Sequence, residues 1–346
     1  MIFLSLLVLF LATSLLVVFV VFCVDGTRDG VLGRMHRSLL NDIPDACGDL
    51  ILRACGERVH GQVTANVRYV LYERNPLMQL VYLALVGGGY GLFLIYAQPL
   101  IPNIYLSAYH TVCVLFLSTA AICTFFQACS TSAGVLNART TRWHDHYAYD
   151  GVMYKKDSTC KTCQCLKLAR SKHCAVCNVC VPRFDHPWLN ACVGERNYKS
   201  FLAFIMTNAV FLIYGAYVLG CIILSEIVKL QLFKSKYVNP DTGEPTDATT
   251  MIVFRYVLHI HPVNVMLFFI CVVMGAALAG FSVFHGKLVL QNRTTNEFFK
   301  QRSARDAVTN FYTLESSWAN ISEVLFPVCD QRLEKALAHH NAVKQE

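Results

Sequence analysis

Five apolar runs, at roughly residues 1–22, 77–97, 104–127, 202–228 and 263–285, limit the fold before any other feature does. Each is close to the ~20 residues that carry a helix across a bilayer. In hydrocarbon, a run of that length must bond its backbone internally, and a helix does so within one segment. The chain has 346 residues, 55% of them hydrophobic and 15% charged, which is too apolar for a soluble protein of this size. The expected fold is an α-helical polytopic membrane protein of about five transmembrane helices, with a small domain between the third and fourth.

Basic residues order the runs across the bilayer. Segment 24–76 holds seven of the 30 lysines and arginines, 128–201 holds eleven and the residues after 285 hold eight; 98–103 holds none and 229–262 holds four. Cytosolic loops carry the basic excess. The N-terminus is therefore expected in the lumen and the three basic segments in the cytosol. The resulting plan is an N-terminal anchor at 1–23, a cytosolic linker at 24–76, a transmembrane hairpin at 77–127, a cytosolic cysteine-rich domain at 128–201, a second hairpin with a lumenal loop at 202–285 and a cytosolic tail at 286–346. No basic stretch precedes the first run and no Ala-x-Ala site follows it, so a retained anchor is favoured over a cleaved signal. Residues 45–72 read either as an amphipathic helix on the membrane or as a solvated linker. Gly87 with Gly91, and Gly275 with Ala279, have the spacing that lets helices pack closely. Residues 229–256 read as a turn-rich loop.

Seven of the 16 cysteines fall within 160–201. Cys160, Cys163, His173, Cys174, Cys177, Cys180, His186 and Cys192 supply eight candidate ligands, enough for two zinc ions at four ligands each. In a reducing cytosol such spacing favours metal over disulfides. Cys165 breaks the spacing and reads as a free thiol. His144, Asp145 and His146 lack a nearby third ligand type and read as part of a solvated loop. Lys155, Lys156, Lys161, Lys167, Arg170 and Lys172 cluster beside the cysteines. Next to a membrane they suit anionic head groups or the phosphates of a coenzyme better than nucleic acid. No span carries a buried ionisable pair of the kind a transport path needs.

Residues 160–201 resemble the cysteine-rich domain of the DHHC-type protein S-palmitoyltransferases. Cys160-x2-Cys163, His173-Cys174, Cys177, Cys180, Asp185, Pro187-Trp188, Asn190 and Cys192 match that family's pattern in order. Asn197-Tyr198-x2-Phe201 matches the entry to the next span. Thr294-Thr295-x-Glu297 matches the motif after the last span, and Asn320 resembles the family's C-terminal asparagine. Ser132-Ala133-Gly134 stands where Asp-Pro-Gly is usual. The extra N-terminal span resembles the five-span members. The resemblance implies two zinc ions, one held by Cys160, Cys163, His173 and Cys180 and the other by Cys174, Cys177, a histidine of the signature and Cys192. It also implies palmitoyl-CoA as donor, membrane-associated proteins as acceptors, and residence in ER or Golgi membranes.

One departure outweighs the others. The family's Asp-His-His-Cys-Pro-Trp reads Asp185-His186-Pro187-Trp188, so a histidine and the nucleophilic cysteine are absent. His186 is left as either a zinc ligand or the base that Asp185 orients, and it cannot be both. The gap fits a pseudoenzyme, a membrane scaffold that binds substrates or active relatives. It also fits the loss of six nucleotides, by splicing or deletion, from an ordinary transferase.

Overall fold

The computed structural model describes residues 30–72, 76–175, 177–188, 191–238, 243–303 and 311–332, and the anchor expected over 1–22 lies outside them. The chain divides into two units, Met1–Glu73 and Arg74–Glu346. In the first, α1 (Val31–Arg37) runs through a wide turn at Ser38–Asp42 into α2 (Ile43–Tyr72). Gly56 breaks α2 at φ 78°, a conformation that costs glycine nothing because it has no Cβ.

Among its described residues, the second unit contains four helices long and apolar enough to cross a membrane: Leu77–Leu100, Tyr109–Ser130, Tyr198–Lys234 and Pro262–Leu290. Their regular cores are α3 (Leu77–Leu92), α4 (Tyr109–Ser130), α6 (Tyr198–Lys229) and α8 (Pro262–Leu290). α6 is central and packs on both α4 and α8. Gly275 sits where an added Cβ would touch Ile213 and Leu212 of α6 at 3.4 Å, so its small size serves that contact. Gly87 and Gly91 face open space, and their spacing mediates no packing among the described residues. Burial in apolar surroundings favours pairing of polar groups, and some in the bundle are paired while Asn264 Oδ1, Ser282 Oγ and His285 Nε2 are not, among the described residues. Tyr82 donates to Asn208 Oδ1 at 2.8 Å, tying α3 to α6.

The cysteine-rich segment between α4 and α6 contains a short α5 (Thr141–His144) and two small hairpins. β1 (Lys172–Cys174) pairs with β2 (Val179–Val181), and β3 (His186–Trp188) with β4 (Ala191–Val193), both antiparallel. Hairpins of three residues per strand cannot support themselves. Their core is a thin layer in which Ala133, Val181 and Phe184 pack around Cys174 and Cys192, with Leu136 and Leu168 around Cys160 and Cys180. A Cβ on Gly194 would lie 2.5 Å from Val181, so only glycine lets the chain leave β4 this close to β2.

The loop after α6 is more ordered than its turn residues suggest. It contains a hairpin, β5 (Lys236–Val238) with β6 (Pro245–Asp247), and a helix, α7 (Thr250–Ile260), capped by the Thr249 hydroxyl. After α8 come α9 (Thr295–Ser303) and α10 (Ser317–Leu325).

Candidate metal centres and acid-base site

The ligand atoms of Cys160, Cys163, His173 and Cys180 all lie within 4.8 Å of one another. A Zn–S bond of about 2.3 Å puts tetrahedral ligands roughly 3.7 Å apart, and His173 Nδ1 lies 3.2 Å from Cys163 Sγ and 3.9 Å from Cys180 Sγ. The Cys163 N–H points at Cys160 Sγ from 3.4 Å. It is the largest cause that pulls the Cys160 thiol down to about 7. Gln164 follows in the left-handed region, at φ 52°, and closes the turn. The four donors fit one zinc ion.

The second group repeats the turn but not the count. The Cys177 N–H faces Cys174 Sγ at 3.5 Å and Asn178 has φ 52°. Cys192 reaches across from β4, its sulfur 3.1 Å from that of Cys177. Cys174, Cys177 and Cys192 form a cluster of three thiols. Crowded sulfurs with inward N–H groups suit a cation, and a fourth donor would have to come from elsewhere.

His186 does not join that cluster. It gathers instead with Asp185 and His285, a residue of α8 absent from the sequence-level site. His186 Nδ1 lies 2.6 Å from Asp185 Oδ2, and its ring is 5.7 Å from that of His285. The Tyr198 hydroxyl holds His285 Nδ1 at 2.9 Å. Asp185 also accepts the Thr295 N–H at 2.6 Å and the Thr295 hydroxyl at 2.9 Å. Burial pushes its carboxyl up, but the hydrogen bond and charge of His186, with the Thr295 N–H, outweigh it and hold the group below the usual range. No cysteine among the described residues shares this cluster.

The remaining motif residues brace it. Thr294 and Glu297 cap α9 reciprocally, the Thr294 N–H to Glu297 Oε2 at 2.9 Å and the Glu297 N–H to the Thr294 hydroxyl at 3.2 Å. Glu297 also takes a two-pronged bond from Arg170, Nε and Nη2 each at 2.9 Å. Arg170 is fully buried between the rings of Tyr147 and Tyr312 and bonds Asn292 as well. Burial raises the Glu297 carboxyl, and the charge and hydrogen bonds of Arg170 more than offset it, so the group titrates low. Arg170 is therefore a structural cation and not part of a lipid-facing basic patch. Asn320 donates to the Leu290 carbonyl at 2.9 Å and closes the end of α8. Cys165 lies outside both clusters and packs beside Leu168 and Cys180.

His144 and His146 are not in a solvated loop. Both side chains are at least nine-tenths buried and meet Glu195, His144 Nδ1 lying 2.7 Å from Oε2. Spacing offered no sign of this, because the partner is 51 residues away.

A family described as DHHC palmitoyltransferase matches residues 153–302. The chain is similar to the palmitoyltransferase ZDHHC4 of Bos taurus, at 29% identity over 353 residues, covering 96% of this chain and 99% of that one. It is 35% identical to the ZDHHC4 of Mus musculus over 156 residues, 44% of this chain and 45% of that one. It is 31% identical to the palmitoyltransferase swf1 of Schizosaccharomyces pombe over 195 residues, 55% of this chain and 53% of that one.

Proposed function

Given that the chain belongs to the DHHC-type palmitoyltransferase family, we propose that it binds the family's acyl donor and protein partners but does not form the acyl-enzyme. The carrying observation is the Asp185–His186–His285 cluster, an oriented acid-base pair that no thiol among the described residues accompanies. In nucleophilic catalysis the base removes a proton from an adjacent nucleophile, and the carboxylate keeps the imidazole in the right tautomer. Asp185 and His186 have the orienting half of that arrangement at 2.6 Å. Cys180 and Cys192 belong to the metal clusters, and Cys165 packs beside the first of them. None of these thiols is available to His186 as a nucleophile.

One zinc would be held by Cys160, Cys163, His173 and Cys180, and a second by Cys174, Cys177 and Cys192 with a donor other than His186. Bound zinc supplies the charge that keeps these thiols ionised and clamps a segment too small to fold on its own core. The cysteine-rich domain lies on the cytosolic face, a reading supported by the basic residues that flank it, and an endomembrane of the ER or Golgi type is what the family resemblance suggests. Palmitoyl-CoA is the ligand the chain binds, and membrane-associated proteins or active relatives are the partners. The protein acts as a scaffold that presents them.

The test uses the purified full chain in lipid nanodiscs. It should bind a fluorescent palmitoyl-CoA analogue yet transfer no acyl group to itself or to a cysteine peptide. A variant with His-Cys inserted after His186 should gain hydroxylamine-sensitive labelling. Equal transfer by the unmodified chain and the insertion variant would overturn the reading.

A further inference from the structure

We infer that His144, His146, Glu195 and Cys329 form a third metal site, for a divalent cation of the zinc class, which fastens the C-terminal segment to the cysteine-rich domain. The donor atoms of His144, Glu195 and Cys329 lie within 4.8 Å of one another and all three residues are buried. His146 Nε2 is 3.3 Å from Glu195 Oε1. Both atoms, and His146 Nδ1, are buried with no hydrogen-bond partner among the described residues. A cavity of about 210 Å³ adjoins the cluster, lined among others by His144, Trp143, Ser132 and Cys329.

Charge makes the case stronger. The Glu195 side chain has no exposed surface, and a buried carboxylate is costly unless a cation meets it. Arg196 and Lys199, close to Glu195 in the chain, both pair with Asp330 at 3.1 and 3.0 Å, while Arg332 lends its charge near His146. What faces Glu195 is two imidazoles and a thiol. Burial disfavours a proton on His146 and disfavours the Cys329 thiolate, which the Glu195 charge opposes further. A divalent ion would meet His144, Glu195 and Cys329 together, and His146, 3.3 Å from Glu195, stands beside them as the fourth donor. Two nitrogens, one carboxylate oxygen and one sulfur make a donor set that zinc accepts. On binding, the Cys329 S–H bond breaks, a sulfur–metal bond forms and the proton leaves to solvent.

The site would join three distant pieces of chain. His144 and His146 precede the first cysteine of the cysteine-rich domain, Glu195 follows its last cysteine, and Cys329 lies beyond α10. The same tail is already held there by Arg332, which donates to the carbonyls of Arg142 and Asp145 at 3.2 and 3.3 Å.

The experiment measures zinc per chain, by inductively coupled plasma mass spectrometry, on the purified full-length protein and on C329S, H146A and C165S. C329S and H146A should each contain one equivalent less than the wild type, and C165S the same as the wild type. Undiminished zinc in either C329S or H146A overturns the site. So does loss of all zinc in both, because residues that only hold the fold would behave that way.

Discussion

The two cysteine clusters share a turn and differ by one ligand. In both, a Cys-x-x-Cys step aims a backbone N–H at the first sulfur, and a left-handed residue follows it. The first is completed by His173 and Cys180, whereas the second stops at three thiols. The ligand that a signature histidine would supply is the one whose place in the chain is shortened. On the proposed reading, one short gap would take a metal donor from one site and a nucleophile from the neighbouring acid-base cluster, and leave the four-donor site whole. Ligation and chemistry share a loop in this domain, and a loss in that loop reaches both.

The largest expected effect separates the clusters. Structural zinc contributes about 10–16 kcal/mol in small metal-dependent folds. Cys160→Ser should unfold the cysteine-rich domain, seen as rapid limited proteolysis between α4 and α6 and loss of zinc. Cys177→Ser weakens a site already short of a donor and should slow that cleavage relative to Cys160→Ser. Equal damage from both would erase the distinction.

The next effect concerns what braces the damaged side. Arg170→Met leaves Glu297 buried without its cation, and breaking a buried pair in this way costs about 3–5 kcal/mol. Thermal unfolding in detergent should fall accordingly, and Arg170→Lys should recover little because a point charge cannot make the two-pronged bond. An unchanged melting temperature would show that α9 is held by other contacts.

The smallest effect is a pH step. Asp185 and Glu297 titrate below their ordinary values, so their stabilisation is fully present above about pH 4.3 and is lost as pH falls through the lower folded values. Release of α9, followed by amide exchange at Thr295, should occur in that acid range, after the thiolates have already lost metal. Asp185→Asn should remove the Asp185 share of the step.

Four of the five spans and the first cluster were legible because their information is local. Hydropathy marks twenty consecutive residues, and a Cys-x-x-Cys step names its own turn. What the sequence hid was set at a distance. Arg170 looked like one of six basic residues near a membrane, and only Glu297, 127 residues on, makes it internal. His186 had two possible partners by pattern; its neighbour His285 sits in a helix that hydropathy reads as plain span. Glu195 conceals His144 and His146 in the same way. α7 was missed because the turn residues ahead of it dominate the local composition.

The most direct test of the central claim is mass spectrometric mapping of thioesters on the unmodified, purified chain after incubation with palmitoyl-CoA. The account predicts no acyl group on any cysteine of residues 160–192. A hydroxylamine-sensitive palmitoyl group on Cys165 or Cys192 would contradict it.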